Sequence, residues 1–168
     1  MIALPDDALV IGLGGNVGGE AAIVARFVRA REALAQLGAV KSAPLYRTAP
    51  IGPAQADFLN TAVRVRYRDG TPPGQTTVAK QLIATIHEIE RLLGRDRRGE
   101  PRNGPRAIDL DVLVWGARQI RTPELEVPHP RLFERRFALE PLAELFAEAR
   151  PLLARVADQR CELVTTTW

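Results

Sequence analysis

The chain has 168 residues, of which 46% are hydrophobic and 26% charged, the make-up of one globular domain able to bury about two-thirds of its unfolded surface. The lone Cys161 excludes a disulfide framework, and no apolar run nears the roughly 20 residues of a membrane span. MIALPDDALV lacks the basic start and apolar stretch of an export signal, so a cytoplasmic protein is expected, with no membrane partner.

Ala8 to Leu13 (ALVIGL) is an apolar run that predicts a strand ending in a turn at Gly14-Gly15-Asn16. From Glu20 to Leu37, apolar residues recur at three-and-four spacing, giving an amphipathic helix stopped by Gly38. Val40 to Thr48 and Phe58 to Tyr67 read as strands. In the second, Val63, Val65 and Tyr67 alternate with Arg64, Arg66 and Arg68, as in a sheet with one wet face. APIGPAQAD between them is a loop. After Pro72-Pro73 a second helix is predicted over Thr76 to Leu93, with Val78, Leu82, Ile86, Ile89 and Leu92-Leu93 facing the core and Gly94 closing it.

Gly94 to Arg106 has too few apolar residues to bury and reads as an exposed, mobile loop. Ile108 to Trp115 is a strand, against which Gln119 and Ile120 are expected to pair. Leu132 to Leu145 is helical in its later part. The order strand, helix, strand, strand, helix, strand is that of the split βαβ sandwich. One α+β domain is therefore expected, ferredoxin-like, with helices on one face of a mostly antiparallel sheet.

Asp109-Leu110-Asp111 is the sharpest chemical feature. Alternation along a strand sends both carboxylates to one face, about 7 Å apart at the Cα level. Like charges at that spacing repel unless a cation lies between them, and a hard divalent ion such as Mg²⁺ suits oxygen ligands. Taken alone, the pair reads as a solvated strand face matched by arginines. However, the loop before it holds Arg95, Arg97, Arg98, Arg102 and Arg106. All but two of the 23 basic residues are arginine, the side chain with a planar fork for phosphate and carboxylate. A positive loop feeding an acidic pair favours phosphoryl transfer over a merely solvated loop.

Other phosphate motifs are absent: there is no GxxxxGK[ST], and Val17 stands where GxGxxG needs its last glycine. The glycines are read as turn chemistry permitting close backbone approach. His87 fits a helix surface, whereas His129, held between Pro128 and Pro130, is better placed to touch a ligand. Cys161 reads as a small buried hydrophobe. Two other readings fit the sequence less well. A palm-like Mg-dependent nucleotidyl transferase would need a further carboxylate strand and a nucleic-acid track, and neither is seen. A basic ferredoxin-like RNA-binding module would need aromatics in its central strands, where Val, Leu and Arg stand instead.

GLGGNVG, LYRTAPIGPAQADFLNTAV and the block IHEIERLLGR…GPRAIDLDVLVWG…VPHPRLFERRFALEPLAEL, in that order from about Leu9 to Leu145, resemble the 6-hydroxymethyl-7,8-dihydropterin pyrophosphokinase family. The resemblance implies a ferredoxin-like enzyme of folate biosynthesis. Such an enzyme transfers pyrophosphate from MgATP to the hydroxymethyl group of the pterin and releases AMP. It implies two Mg²⁺ ions on Asp109 and Asp111, with Asp111 also accepting the hydroxyl proton. Arg95 and Arg106 match lid arginines that hold the triphosphate and assist transfer, and His129 and Arg135 match phosphate-side groups. Glu90 matches a helix residue beside the nucleotide. Phe58 and Phe137 match an aromatic pair around the pterin ring, and Asn60 with the backbone near Thr48, Ala49 and Ile51 matches the groups reading its rim. The chain departs from the family pattern at Asn103 (Trp in some members), Pro130 (often Tyr) and Ala49 (usually Pro). Leu152 to Trp168 matches nothing in the pattern and is expected to pack on the core. A monomer acting on small molecules, without nucleic acid, is the expectation.

Overall fold

The computed structural model describes residues 4–67 and 76–168. Arg68, Pro72-Pro73 and the first three residues of MIALPDDALV lie outside the described residues. Among those described, the chain runs β1 (Ala8–Gly15), α1 (Gly19–Leu34), β2 (Val40–Ser42), β3 (Leu45–Thr48), β4 (Phe58–Arg66), α2 (Thr76–Leu92) and β5 (Asp109–Trp115). It continues through β6 (Ile120–Arg121), β7 (Glu126–Val127), α3 (Arg136–Leu145) and β8 (Cys161–Thr165), with a 3₁₀ turn at Leu132–Glu134 and a 3₁₀ stretch over Ala147–Val156.

The main sheet has the order β5-β1-β4-β3-β8, every neighbouring pair antiparallel, and β2 pairs with β4 beyond β3. This is the expected ferredoxin-like α+β sandwich. β1 lies inside the sheet between β5 and β4, paired with β4 from Ala8↔Arg66 to Gly15↔Leu59, so Gly14 and Gly15 continue the strand where a turn was expected. The predicted strand over Val40 to Thr48 is broken at Ala43-Pro44, since proline has no N–H to give to a ladder. The hydroxyl of Thr61 bonds both freed carbonyls, that of Ala43 at 3.0 Å and that of Pro44 at 2.9 Å. Ile120 does not pair back on β5. It opposes Val127 in a two-stranded ribbon.

Helices cover both faces of the sheet, and not one as the alternation suggested. Leu9, Ile11 and Leu13 of β1, with Val63 and Val65 of β4, pack against Ile23, Phe27 and Leu34 of α1 and Leu82 and Ile86 of α2. Ala8, Val10 and Ala62 on the opposite face meet Ala138, Leu139 and Leu142 of α3. The face read as wet is therefore half covered. The Arg64 guanidinium lies 5.2 Å from the Phe146 ring centroid, beneath the end of α3. Leu92, placed in the core by its spacing, is 61% exposed, and Leu93 takes the buried position. Gly94, with φ of 92°, ends α2 in a conformation that favours glycine.

A β-bulge shapes the outer strand. Leu9 opposes Trp115 and Val10 opposes Val114, yet Ile11 opposes Val112, so Leu113 is the extra residue. Leu113 and Val114 consequently share the α3 face, while Trp115 turns to the core under α1 and α2. The final segment does pack on the molecule: β8 adds a strand beyond β3, and Trp168 meets Phe27 edge-on at 6.1 Å. Its indole N–H donates to the Ala43 carbonyl at 2.8 Å, and Arg31 lies 4.7 Å from its ring centroid. Cys161 opens β8 half-buried, its thiol pushed up to about 11 by burial and the nearby Glu140. No helix among the described residues is long and apolar enough to cross a membrane.

Candidate active site

Two cross-strand rows on the α3 face define the floor of a cleft. Asp109 opposes Gly14, which opposes Asn60; Asp111 opposes Gly12, which opposes Ala62. With no side chain on either glycine, the Asn60 amide can lie over Gly14 and the Leu113 side chain over Gly12. The start of α3 supplies Arg135, Phe137 and Ala138 to the wall, and Phe58, Thr48 and Arg106 complete it. The empty space of the cleft, open solvent at its mouth included, is about 730 Å³.

Gly14 is there for space. A Cβ at that position would stand 2.8 Å from Asn60 Oδ1, whereas one at Gly12 would stand 3.3 Å from the flexible end of Leu113. The Asn60 amide already donates to Thr48 Oγ1 at 2.7 Å, so it has little freedom to retreat. Gly14→Ala should therefore lower unfolding stability by about 1–3 kcal/mol, the worth of a lost buried hydrogen bond. Gly12→Ala should cost clearly less. Urea unfolding of the two variants checks this, and equal midpoints would contradict it.

The acids differ sharply in their partners. Asp109 accepts from Arg95 on one oxygen and from Arg106 on the other. Burial alone would raise its pKa, but the two guanidiniums hold it below the usual carboxylate value. Asp111 has no hydrogen bond or ion pair among the described residues. Burial, reinforced by the Asp109 charge, raises its carboxyl from 3.8 to about 7. No group of three or more metal-ligating side chains occurs among the described residues, so a cation here would draw the rest of its shell from substrate or water.

Behind Asp109 lies Glu90, only 1% exposed. One oxygen accepts from Arg95 at 2.6 Å and from the Leu110 N–H at 2.8 Å; the other accepts from Arg97 at 2.6 Å. Glu90, matched to a residue beside the nucleotide, is shut away from solvent here and clamps the lid arginines and the peptide between the two aspartates. Arg95 is also buried, its side chain 6% exposed, and it reaches Glu100 at 3.0 Å as well. Burial would lower its pKa, but Asp109 and Glu90 more than offset this, so it stays charged. The loop from Gly94 to Arg106 is thus exposed along much of its length but pinned through Arg95, and not free as its composition implied.

His129 is partly buried, and its Nδ1 accepts the Arg131 N–H at 3.1 Å, which leaves Nε2 to carry the ring proton. Burial and Arg135 lower its pKa, so the ring is neutral near pH 7. Arg135 lies 5.4 Å from the Phe137 ring centroid, and the Nε of Arg135 and that of Arg106 have no hydrogen-bond partner. Two cationic side chains with spare donors in one cleft suit an anion. Of the residues singled out from the sequence, Thr48, Ala49, Ile51, Phe58, Asn60, Arg106, Asp109, Asp111, Arg135 and Phe137 line this single cleft; Glu90, Arg95 and His129 do not. His87 lies exposed on α2. Gly12 and Leu113, which sequence reading did not place here, also line it; Gly12 does so by pairing across strands with Asp111, and Leu113 by bulging from the same strand as the acids.

A carboxylate pair on a ferredoxin-like sheet, facing two guanidiniums in a cleft with aromatic walls, defines a phosphoryl-transfer enzyme of the α+β class. Residues 10–147 match the family model for 7,8-dihydro-6-hydroxymethylpterin-pyrophosphokinase. The chain is 40% identical over 136 residues to the 2-amino-4-hydroxy-6-hydroxymethyldihydropteridine pyrophosphokinase of Methylorubrum extorquens, covering 80% of each. It is 38% identical to the Bacillus subtilis protein of the same name over 80% of this chain and 75% of that one. A solved structure of the Plasmodium falciparum HPPK-DHPS triple mutant with STZ-DHP shares the fold. Its TM-score is 0.62 at 14% identity, over 89% of this chain and 43% of that one. The chain belongs to the 7,8-dihydro-6-hydroxymethylpterin-pyrophosphokinase family. It is an ATP-dependent pyrophosphokinase of folate synthesis.

Proposed function

We propose that this cleft transfers the terminal pyrophosphoryl group of ATP to the hydroxymethyl oxygen of 6-hydroxymethyl-7,8-dihydropterin, that the domain doing so spans the whole chain, and that it works in the cytoplasm. The observation that carries the assignment is Asp111. It is a buried carboxyl without an ion-pair partner, beside a second carboxylate and within one cleft with Arg106 and Arg135. A buried acid left in that state takes up either a proton or a cation, and hard oxygen donors on one strand face fit Mg²⁺. Asp109 and Asp111 would hold two such ions, which when bound neutralise phosphate charge and align the triphosphate.

The chain's own groups do the rest. Phe58 and Phe137 supply flat apolar faces for the pterin ring. Asn60, oriented by its bond to Thr48, and the backbone at Thr48, Ala49 and Ile51 read its polar rim. The hydroxymethyl oxygen attacks the β-phosphorus in line. The bond from that phosphorus to the α,β-bridging oxygen breaks, AMP leaves with the bridging oxygen, and the hydroxyl proton passes to Asp111. Arg106 and Arg135 neutralise charge on the moving phosphoryl group, and His129 donates from Nε2 to a phosphate oxygen. Arg95 acts from behind, held by Glu90 and holding Asp109. The lone Cys161 suits a reducing compartment.

The test is incubation with ATP, Mg²⁺ and the pterin alcohol, with nucleotide products separated chromatographically. AMP in one-to-one ratio with pterin diphosphate is expected. ADP would mean single phosphoryl transfer and would overturn the reading.

A further inference from the structure

We infer that Asn16 and Gln55 form an amide yoke that ties the lid (Gly94–Arg106) to the loop over residues 49–57, and so sets Arg106 for transfer; both are positioning residues. The reasoning rests on the proposed role of Arg106 in the cleft. Asn16 follows the glycine run at the end of β1 and is buried although polar. Its Oδ1 accepts the Arg106 backbone N–H at 2.9 Å, and its own N–H donates to the Arg106 carbonyl at 3.0 Å. Its Nδ2 donates to Gln55 Oε1 at 2.9 Å and to the Ala56 carbonyl at 3.0 Å. Gln55 Nε2 then donates to the Asn103 carbonyl at 2.7 Å, back on the lid.

The direction of each amide is fixed chemically. The Arg106 N–H can only donate, while the carbonyls of Ala56 and Asn103 can only accept, so neither side chain can flip without losing bonds. Neighbouring contacts leave the yoke no slack. A Cβ on Gly15 would stand 2.8 Å from the Ala107 carbonyl, and one on Gly52 would stand 3.0 Å from Asn103 Cβ. The same loop carries Ala49 and Ile51 into the cleft on the pterin side. Movement of that loop is therefore transmitted through two amides to the backbone of Arg106, whose guanidinium holds Asp109. Neither Asn16 nor Gln55 lines the cleft, so any effect on turnover must pass through the groups they hold.

The test is a double-mutant cycle on the full chain, read as single-turnover AMP formation at saturating ATP, Mg²⁺ and pterin, with thermal midpoints measured alongside. Gln55→Glu keeps the shape but turns an acceptor toward the Asn103 carbonyl. It should slow turnover about 10-fold, of the order expected for a displaced transition-state group, with the thermal midpoint nearly unchanged. In the Arg106→Ala background the same change should cost less than about threefold, because coupled sites are non-additive. Asn16→Ala should behave likewise, as a second variant if the first folds poorly. Wild-type turnover in Gln55→Glu, or equal costs with and without Arg106, would overturn the yoke. An unaffected rate in Arg106→Ala alone would instead overturn the role given to Arg106 in the proposed function.

Discussion

Asp109→Ala should lower turnover by roughly 1,000-fold or more while leaving a folded protein, because it removes a cation ligand together with the anchor of two lid arginines. Fold survival follows from the local ion-pair arithmetic. Arg95 keeps Glu90 and Glu100 after the substitution, and Arg106 is only half-buried and retains its backbone bonds to Asn16. A buried guanidinium stripped of every partner would be far more damaging. Single-turnover AMP formation and a thermal melt measured on the same preparation separate the two effects. A rate within tenfold of wild type would remove Asp109 from the cation site. Loss of the cooperative melt would show that its main work is structural.

The second large effect is on Asp111, whose carboxyl is held up to about 7 by burial and by Asp109. Asp111→Asn should abolish turnover to a similar degree and yet stabilise the ligand-free protein above neutrality. The sign follows from proton counting. Between about pH 4 and 7 the folded protein retains a proton that the unfolded chain has released, so folding stability is greatest at the acid end and is lost as pH rises through the folded value. The wild-type thermal midpoint should therefore fall between pH 5 and 8 relative to that of Asp111→Asn. Added Mg²⁺ should raise the wild-type midpoint more at pH 8 than at pH 6, since cation and proton compete for the same oxygens. Parallel pH profiles for the two proteins would contradict the assignment of Asp111 as a buried carboxyl without an ion-pair partner.

The acidic pair was legible because strand alternation is a local rule: two positions apart means one face, whatever lies opposite. The central elements were legible for the same reason, with β1, α1, β4, α2 and β5 written in their own periodicity. What escaped reading depends on distant chain. Glu90 sits beside exposed His87 and Glu88 and looks like helix surface; only the arrival of Arg95, Arg97 and the Leu110 N–H makes it a buried clamp. The arginines of β4 alternate as on a wet face, and nothing in that segment announces that α3 folds over Arg64. Gly14 was read as turn chemistry because its strand pairing with Asn60 is set by β4, nearly fifty residues on. Asn16 and Gln55 carry no periodic signal at all, since each acquires meaning only from the other's loop.

The bulge in β5 gives this strand an unusual tolerance of length. Leu113 is the supernumerary residue, so excising it alone would leave Asp109, Asp111 and Trp115 opposite the same partners they have now. What is forfeited is the His129 N–H bond to the Leu113 carbonyl and the buried packing of the Leu113 side chain on the α3 face. Because Leu113 borders the cleft above Gly12, the excision would also widen the space available to a substituted heterocycle. Shortening the strand between Asp109 and Asp111 would do the opposite, turning one of the acids toward the helix pair. An engineer wishing to broaden the accepted substrate thus has one codon in the strand that can be dropped without changing its register.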